Sequence, residues 1–159
     1  MAALSSSGDD AAYALAEHVG GGGKAGVNRF VQEMNERAKT IGLKNTHFKN
    51  PGGLDEKGHY SSARDLATMV RVAMRNAEFR DIVSTEYASI YTADREMPIA
   101  STNELLFSYG PATGVKTGTT PADGESYVCV VLGSKEERFG ASALALRYGF
   151  IAHDVGTSS

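Results

Sequence analysis

The 159-residue sequence is short of several things, and each shortage excludes a class of protein. It has one cysteine, Cys129, so neither an internal disulfide framework nor a cysteine-based zinc site can form. That lone cysteine does not fix the compartment. Basic charge is not in excess: 16 Lys and Arg stand against 19 Asp and Glu, a formal net charge of −3. Such a balance gives no positive field for nucleic acid and no polybasic patch for a membrane. The longest apolar runs, such as Val128 to Leu132, are far too short to cross a bilayer. Leu, Ile, Val and Phe make up about a fifth of the chain, close to the level at which disorder becomes a concern. Charged residues are ordinary at 22%, and Ala and Met add apolar volume. The expectation is one folded domain with a small core.

Ligand clusters are missing as well. His18, His47, His59 and His153 have no paired spacing with acids or with one another, so they read as structural or solvated and no metal is expected. Gly20 to Gly23 lacks both the Lys-Ser/Thr ending and the preceding strand of a phosphate loop. There is no internal repeat and no secretion signal at the start as given. Met1-Ala2-Ala3-Leu4 reads as the middle of an element.

What is present is helical periodicity broken by polar loops. Ser5, Ser6, Ser7 and Gly8 lead into Asp9 and Asp10 and then into apolar residues at helical spacing, which predicts a helix start. A second helix is predicted over Val27 to Ile41, with Val27, Phe30, Val31, Met34, Ala38 and Ile41 on one face and Gly42 as its stop. Leu43 to Tyr60 is a loop rich in Asn, Gly and Pro. Ser62 then caps a third helix with Asp65 in a capping-box position, and Leu66, Met69, Val70, Ala73 and Met74 form its buried stripe. A short helix over Asn76 to Val83, strands at Glu86 to Thr92 and Met97 to Ser101, and a helical turn over Asn103 to Phe107 follow. Gly114 to Thr119 and the near-continuously apolar Ser126 to Gly133 read as strands, the latter buried on both faces. A last helix spans Ser134 to Tyr148, and residues 151–159 form a flexible tail.

Two short motifs carry chemistry: Ser7-Gly8-Asp9 at a helix N-terminus and Lys116-Thr117-Gly118 in a predicted strand. Taken alone, the first is a helix cap. In this order and on these elements they resemble the second and third motifs of active-site-serine penicillin-recognising enzymes. The longer text narrows the likeness. Ser7 to His18, Gly42-Leu43-Lys44-Asn45-Thr46-His47-Phe48, Gly53-Leu54-Asp55, Tyr60 to Leu66, Thr102-Asn103-Glu104-Leu105-Leu106, Gly114 to Gly118 and Tyr148-Gly149-Phe150 all resemble D-alanyl-D-alanine carboxypeptidases.

The resemblance covers nearly everything from Leu4 to Phe150. It implies an α/β (α+β) fold of the β-lactamase/transpeptidase type, an antiparallel sheet flanked by helices and here incomplete, over a partial domain at residues 1–150. It also implies a peptidase that attacks peptidoglycan stem peptides ending in D-Ala-D-Ala through an acyl-enzyme, binds β-lactams, needs no metal or organic cofactor and works outside the cytoplasm. Carried over residue by residue, Ser7 relays a proton toward the leaving amine and Lys116 holds the field that favours this relay. Lys116 and the Thr117 hydroxyl receive the substrate carboxylate. Gly118 leaves room for the substrate to lie along the strand, and the Thr119 N–H gives half of an oxyanion hole.

The sequence departs from the family in three places. No serine here is followed three residues later by lysine, so the nucleophile motif Ser-x-x-Lys is missing, and an absent upstream segment is the expectation. Asp9 stands where the family usually has Asn. Asp9 is carried over as a substrate-binding residue, but a carboxylate only accepts hydrogen bonds where an amide also donates, so its substrate contacts are expected to weaken. Its charge can also pair with Lys116 and mute its field. Pro121-Ala122-Asp123-Gly124 replaces an extra strand and turn. This chain alone is therefore expected to be inactive. The alternative from another class is a catalytically dead cell-wall peptide-binding module, or a fragment needing a complementing chain, with exposed apolar surface that favours a homo-oligomer. A β-lactamase would need the same missing serine, and Glu56 is the only candidate for its deacylating glutamate. A decayed domain with no activity is the remaining reading.

Overall fold

The computed structural model describes residues 1–108 and 112–117. Among the described residues six helices and one hairpin follow in order: α1 (Ala2–Ser5), α2 (Asp9–Val19), α3 (Gly23–Thr40), α4 (Ala63–Ala73), α5 (Ala77–Val83), β1 (Tyr87–Tyr91), β2 (Glu96–Ala100) and α6 (Leu105–Ser108). The strands expected at Ser126 to Gly133, the helix at Ser134 to Tyr148 and the tail at 151–159 lie outside the described residues.

Helix α2 starts where the acids predict, but its N-cap is Gly8 and no side chain caps it. Asp10 instead accepts from the Ala11 N–H at 2.8 Å, and Ser5 belongs to the preceding turn α1. Helix α3 begins at Gly23, four residues before the apolar face suggests, because Glu17 of α2 accepts from the Gly23 N–H at 2.8 Å. At its other end Gly42 takes φ +83, Leu43 N–H bonds Ala38 C=O and Gly42 N–H bonds Lys39 C=O. These two bonds close a Schellman motif, and the buried Leu43 and Ala38 supply its apolar contact.

Helices α2 and α3 approach backbone to backbone. A Cβ on Gly20 would lie 1.9 Å from the Gly26 carbonyl oxygen, and Ala16 beside it is fully buried. Arg29 ties the junction by donating to the Gly20 carbonyl at 2.6 Å.

The loop at 43–60 is held by side chains acting as backbone partners. Asn35 of α3 accepts from Phe48 N–H and donates to Phe48 C=O, both at 2.8 Å. The buried Asn50 accepts from Gly53 and Leu54 N–H and donates to Leu54 C=O and Glu56, which engages Glu56 inside the loop. Ser62 caps α4 as expected, accepting from Asp65 N–H at 3.2 Å. The Asp65 carboxylate, 5% exposed, accepts from Asn45 N–H at 2.7 Å and Thr46 Oγ1 at 2.8 Å. It thus anchors the loop, where the capping-box pattern had placed it on its own helix. The apolar stripe of α4 is half-buried, because among the described elements none packs extensively along it.

The hairpin pairs β1 and β2 antiparallel in the register Tyr87↔Ala100 to Tyr91↔Glu96. Proline at position 98 brings no N–H to the ladder, which a strand tolerates at an edge. Helix α1 lies against α2, α5 and β2. Apolar burial is thin, as the composition implies: among the described residues the buried apolar side chains are Ala16, Ala38, Leu43, Val83 and Leu106. No described helix is long and apolar enough to cross a membrane.

Candidate active site

The site forms where the α1–α2 junction meets the exit of β2 and the segment 112–117. Ser7 occupies the junction with φ 56, in the left-handed region that residues bearing a Cβ seldom adopt. The cost is about 1–2 kcal/mol and the result is a sharp turn between two helices. The junction is fastened by Ser5, whose carbonyl accepts from Thr102 N–H at 2.9 Å and whose hydroxyl lies 3.5 Å from the Ile82 carbonyl of α5.

On the opposite side, Gly114 rests against Val83. With φ +137, and with its missing Cβ position 2.8 Å from Val83 Cγ2, that position admits only glycine. This seating brings Lys116 and Thr117 to the junction. Lys116 Nζ donates to Ser7 Oγ at 2.6 Å across 109 residues of sequence, and also to the Thr117 carbonyl. The Thr117 and Thr102 hydroxyls lie 2.5 Å apart, and Thr102 also reaches the Ser5 carbonyl at 3.4 Å. Residues 112–117 carry no regular secondary structure, so the described part of the strand expected at Gly114 to Thr119 is not formed, while Gly118 and Thr119 lie outside the described residues. A strand exists through its ladder, and the partner that the sequence offers, Ser126 to Gly133, lies outside the described residues.

Lys116 is exposed taken as a whole residue, yet protein atoms displace water from its ammonium and hold its pKa below the ordinary lysine value. The negative charge of Asp9 opposes that shift. Asp9 sits in the first turn of α2, and Gly52 fits beneath it: a Cβ there would lie 3.2 Å from Asp9 Oδ1 and 3.4 Å from the Tyr13 ring. The tip of the 43–60 loop therefore backs the charge that faces Lys116. Ser7, Asp9 and Lys116 are all exposed, so the cluster is an open face where Coulomb effects are screened.

Of the six residues that the sequence singles out, Ser7, Asp9, Lys116 and Thr117 come together, whereas Gly118 and Thr119 lie outside the described residues. Two contributors were not singled out, Thr102 and Ser5. Thr102 opens the run Thr102 to Leu106, so its place in that run was the available signal. Ser5 acts through its backbone carbonyl and leaves no trace in residue type. Among the described residues no group of His, Cys, Asp and Glu is arranged to hold a metal.

The architecture resembles known structures. A crystal structure of a Streptomyces DD-transpeptidase matches with a TM-score of 0.74 at 35% identity, over 94% of this chain and 65% of that one. The fold is therefore that of the DD-transpeptidases, represented in part. Sequence comparison agrees. The profile of the D-alanyl-D-alanine carboxypeptidase family matches residues 1–139. D-alanyl-D-alanine carboxypeptidase DacF of Bacillus subtilis is 39% identical over 140 residues, covering 87% of this chain and 34% of that protein. The D-alanyl-D-alanine carboxypeptidase of a Streptomyces species is 40% identical over 133 residues, covering 79% of this chain and 45% of that protein. The chain belongs to the D-alanyl-D-alanine carboxypeptidase family, a family of serine-type hydrolases, and spans a third to a half of these curated relatives.

Proposed function

We propose that this chain is the carboxylate-recognising portion of a D-Ala-D-Ala carboxypeptidase site, acting on peptidoglycan stem peptides in the cell envelope. The observation that carries the reading is the Lys116–Ser7 hydrogen bond beside the Thr117–Thr102 hydroxyl pair. A terminal carboxylate set here meets one ammonium and two hydroxyls, a donor set suited to an anion. In this reading Ser7 passes a proton toward the leaving amine and Lys116 supplies the field, a pairing supported by the Lys116 Nζ–Ser7 Oγ hydrogen bond. The family resemblance assigns Gly118 to make space for the peptide backbone and Thr119 N–H to an oxyanion hole, both outside the described residues. Asp9 lowers the net positive charge of the site.

Turnover is not expected of this chain by itself. The 159 residues contain no Ser-x-x-Lys, and removal of an acyl-transfer nucleophile costs orders of magnitude in rate. The test is a calorimetric titration with a diacylated L-Lys-D-Ala-D-Ala peptide and with its C-terminal amide, together with an assay for released D-alanine. The free acid binds, the amide binds at least about tenfold more weakly, and no D-alanine is released catalytically. Equal affinities, or no binding by a folded sample, overturn the reading.

A second reading, a module that works paired with a complementing chain or a second copy, is favoured by the surface of α2. Leu15 and Val19, one helical turn apart, are 53% and 58% exposed.

A further inference from the structure

We propose that the outer face of the β1–β2 hairpin is a glycan-binding platform, on which the sugar strand that bears the stem peptide lies against Tyr87 and Tyr91. The inference rests on the stem-peptide reading for the identity of that glycan, while the face stands on its own geometry. By strand alternation Tyr87, Ser89 and Tyr91 share one side of the hairpin with their cross-strand partners Ala100, Pro98 and Glu96. Among the described residues Tyr91 and Tyr87 are the most exposed of the large apolar and aromatic side chains, at 74% and 70%. The opposite side of the hairpin is the half-buried one.

Both rings are held in place by neighbours. Tyr91 donates through its hydroxyl to Glu96 Oε1 at 3.1 Å, directly across the ladder. Tyr87 packs against Phe107 of α6, with ring centroids 5.3 Å apart and planes tilted by 60°. Four residues of strand set the two tyrosines about 13 Å apart, the scale of a short oligosaccharide. The floor between them is low, because Ser89, Pro98 and Ala100 are small. Hydrogen bonds from Ser89 and Tyr91 hold the Glu96 carboxyl below the ordinary carboxylate range, so it is an ionised acceptor at neutral pH.

This pattern favours a sugar over other occupants. A pyranose offers C–H bonds on its faces and hydroxyls around its rim, which match aromatic faces and a carboxylate respectively. A protein partner or a second copy favours a contiguous apolar patch, and here hydroxyl and carboxylate groups lie between the rings. The platform is also continuous with the candidate active site. Ala100, opposite Tyr87, precedes Thr102 by two residues, about 7 Å of extended chain. A stem peptide of several residues is longer than that. One molecule can therefore rest its sugars on the hairpin and reach the Thr102–Thr117 hydroxyls with its carboxylate.

The experiment is a calorimetric titration of the whole chain with the N-acetylglucosamine hexamer, a soluble glycan that carries no peptide. The hexamer binds, and Tyr91→Ala weakens it by about tenfold. Glu96→Gln keeps an acceptor oxygen but loses the charge, and weakens binding by about threefold. Both variants alter exposed side chains, so circular dichroism is unchanged and the preference for free-acid over amide peptide survives. No binding by a folded chain, or an affinity that Tyr91→Ala leaves intact, would overturn the inference. So would a dimer seen in sedimentation that Tyr91→Ala dissolves, because the face would then belong to a second copy. Free-acid preference without hexamer binding sinks the platform alone. Hexamer binding without free-acid preference sinks the stem-peptide reading and leaves the platform standing.

Discussion

Ser7, Asp9 and Lys116 show how one site sets a positive charge by two opposed effects. Desolvation pushes the Lys116 pKa down, and Asp9 pulls it back up. Removing the carboxylate leaves desolvation unopposed, so Asp9→Asn lowers the Lys116 pKa further. An NMR titration of isotopically methylated lysines reads that shift, and an upward or absent shift would refute the electrostatic account. His59 is a second residue whose titration is readable. Burial holds its pKa below the ordinary 6.5, reinforced by His47 and opposed by Glu56 and Asp55, and its Nδ1 accepts from Lys49 N–H. The unfolded chain therefore binds more protons than the folded one just below that pH. Its contribution to stability is complete above about pH 6.5 and declines as pH falls toward the folded pKa. Urea midpoints measured across this range should drop on acidification, and His59→Gln should flatten the slope.

At the scale of elements, two features decide how the helices are held. The α2–α3 crossing depends on hydrogen atoms where other residues carry a Cβ. Gly20→Ala forces a methyl group to within 1.9 Å of a carbonyl oxygen, so the helices must separate. The expected loss is about 1–3 kcal/mol in urea unfolding, and a neutral result would show that the crossing is not tight. The 43–60 loop depends on Asp65. Asp65→Ala removes the acceptor for Asn45 N–H and Thr46 Oγ1, at a cost on the order of 2–3 kcal/mol, whereas Asp65→Asn keeps one acceptor oxygen and loses less. Elements of this size were legible wherever a local signal existed: acids at the start of α2, Gly42 at the end of α3, Ser62 before α4. Signals read as local but used at long range misled, as when Asp65 served a loop twenty residues away.

The whole molecule carries little apolar burial among its described residues, as the scarcity of Leu, Ile, Val and Phe implied. No large side chain there is fully buried, while Leu15 and Val19 remain open on α2. If a second copy covers this face, sedimentation at tens of micromolar should show a species heavier than the monomer. The double variant Leu15→Lys, Val19→Lys should return it to monomer. A chain that is monomeric throughout removes the paired reading.

The sequence by itself determined the family, the helices with their caps and stops, the thinness of the core and four of the residues that meet at the site. These follow from residue type and short spacing, through backbone preference, side-chain capping and periodicity. Only the tertiary structure decided that Lys116 reaches Ser7 across 109 residues, that Thr102 joins Thr117, and that a serine sits in a left-handed turn between two helices. Those contacts arise from the seating of α1 on α5 and β2 and of Gly114 on Val83. Such packing depends on shape at long range, which no local pattern encodes.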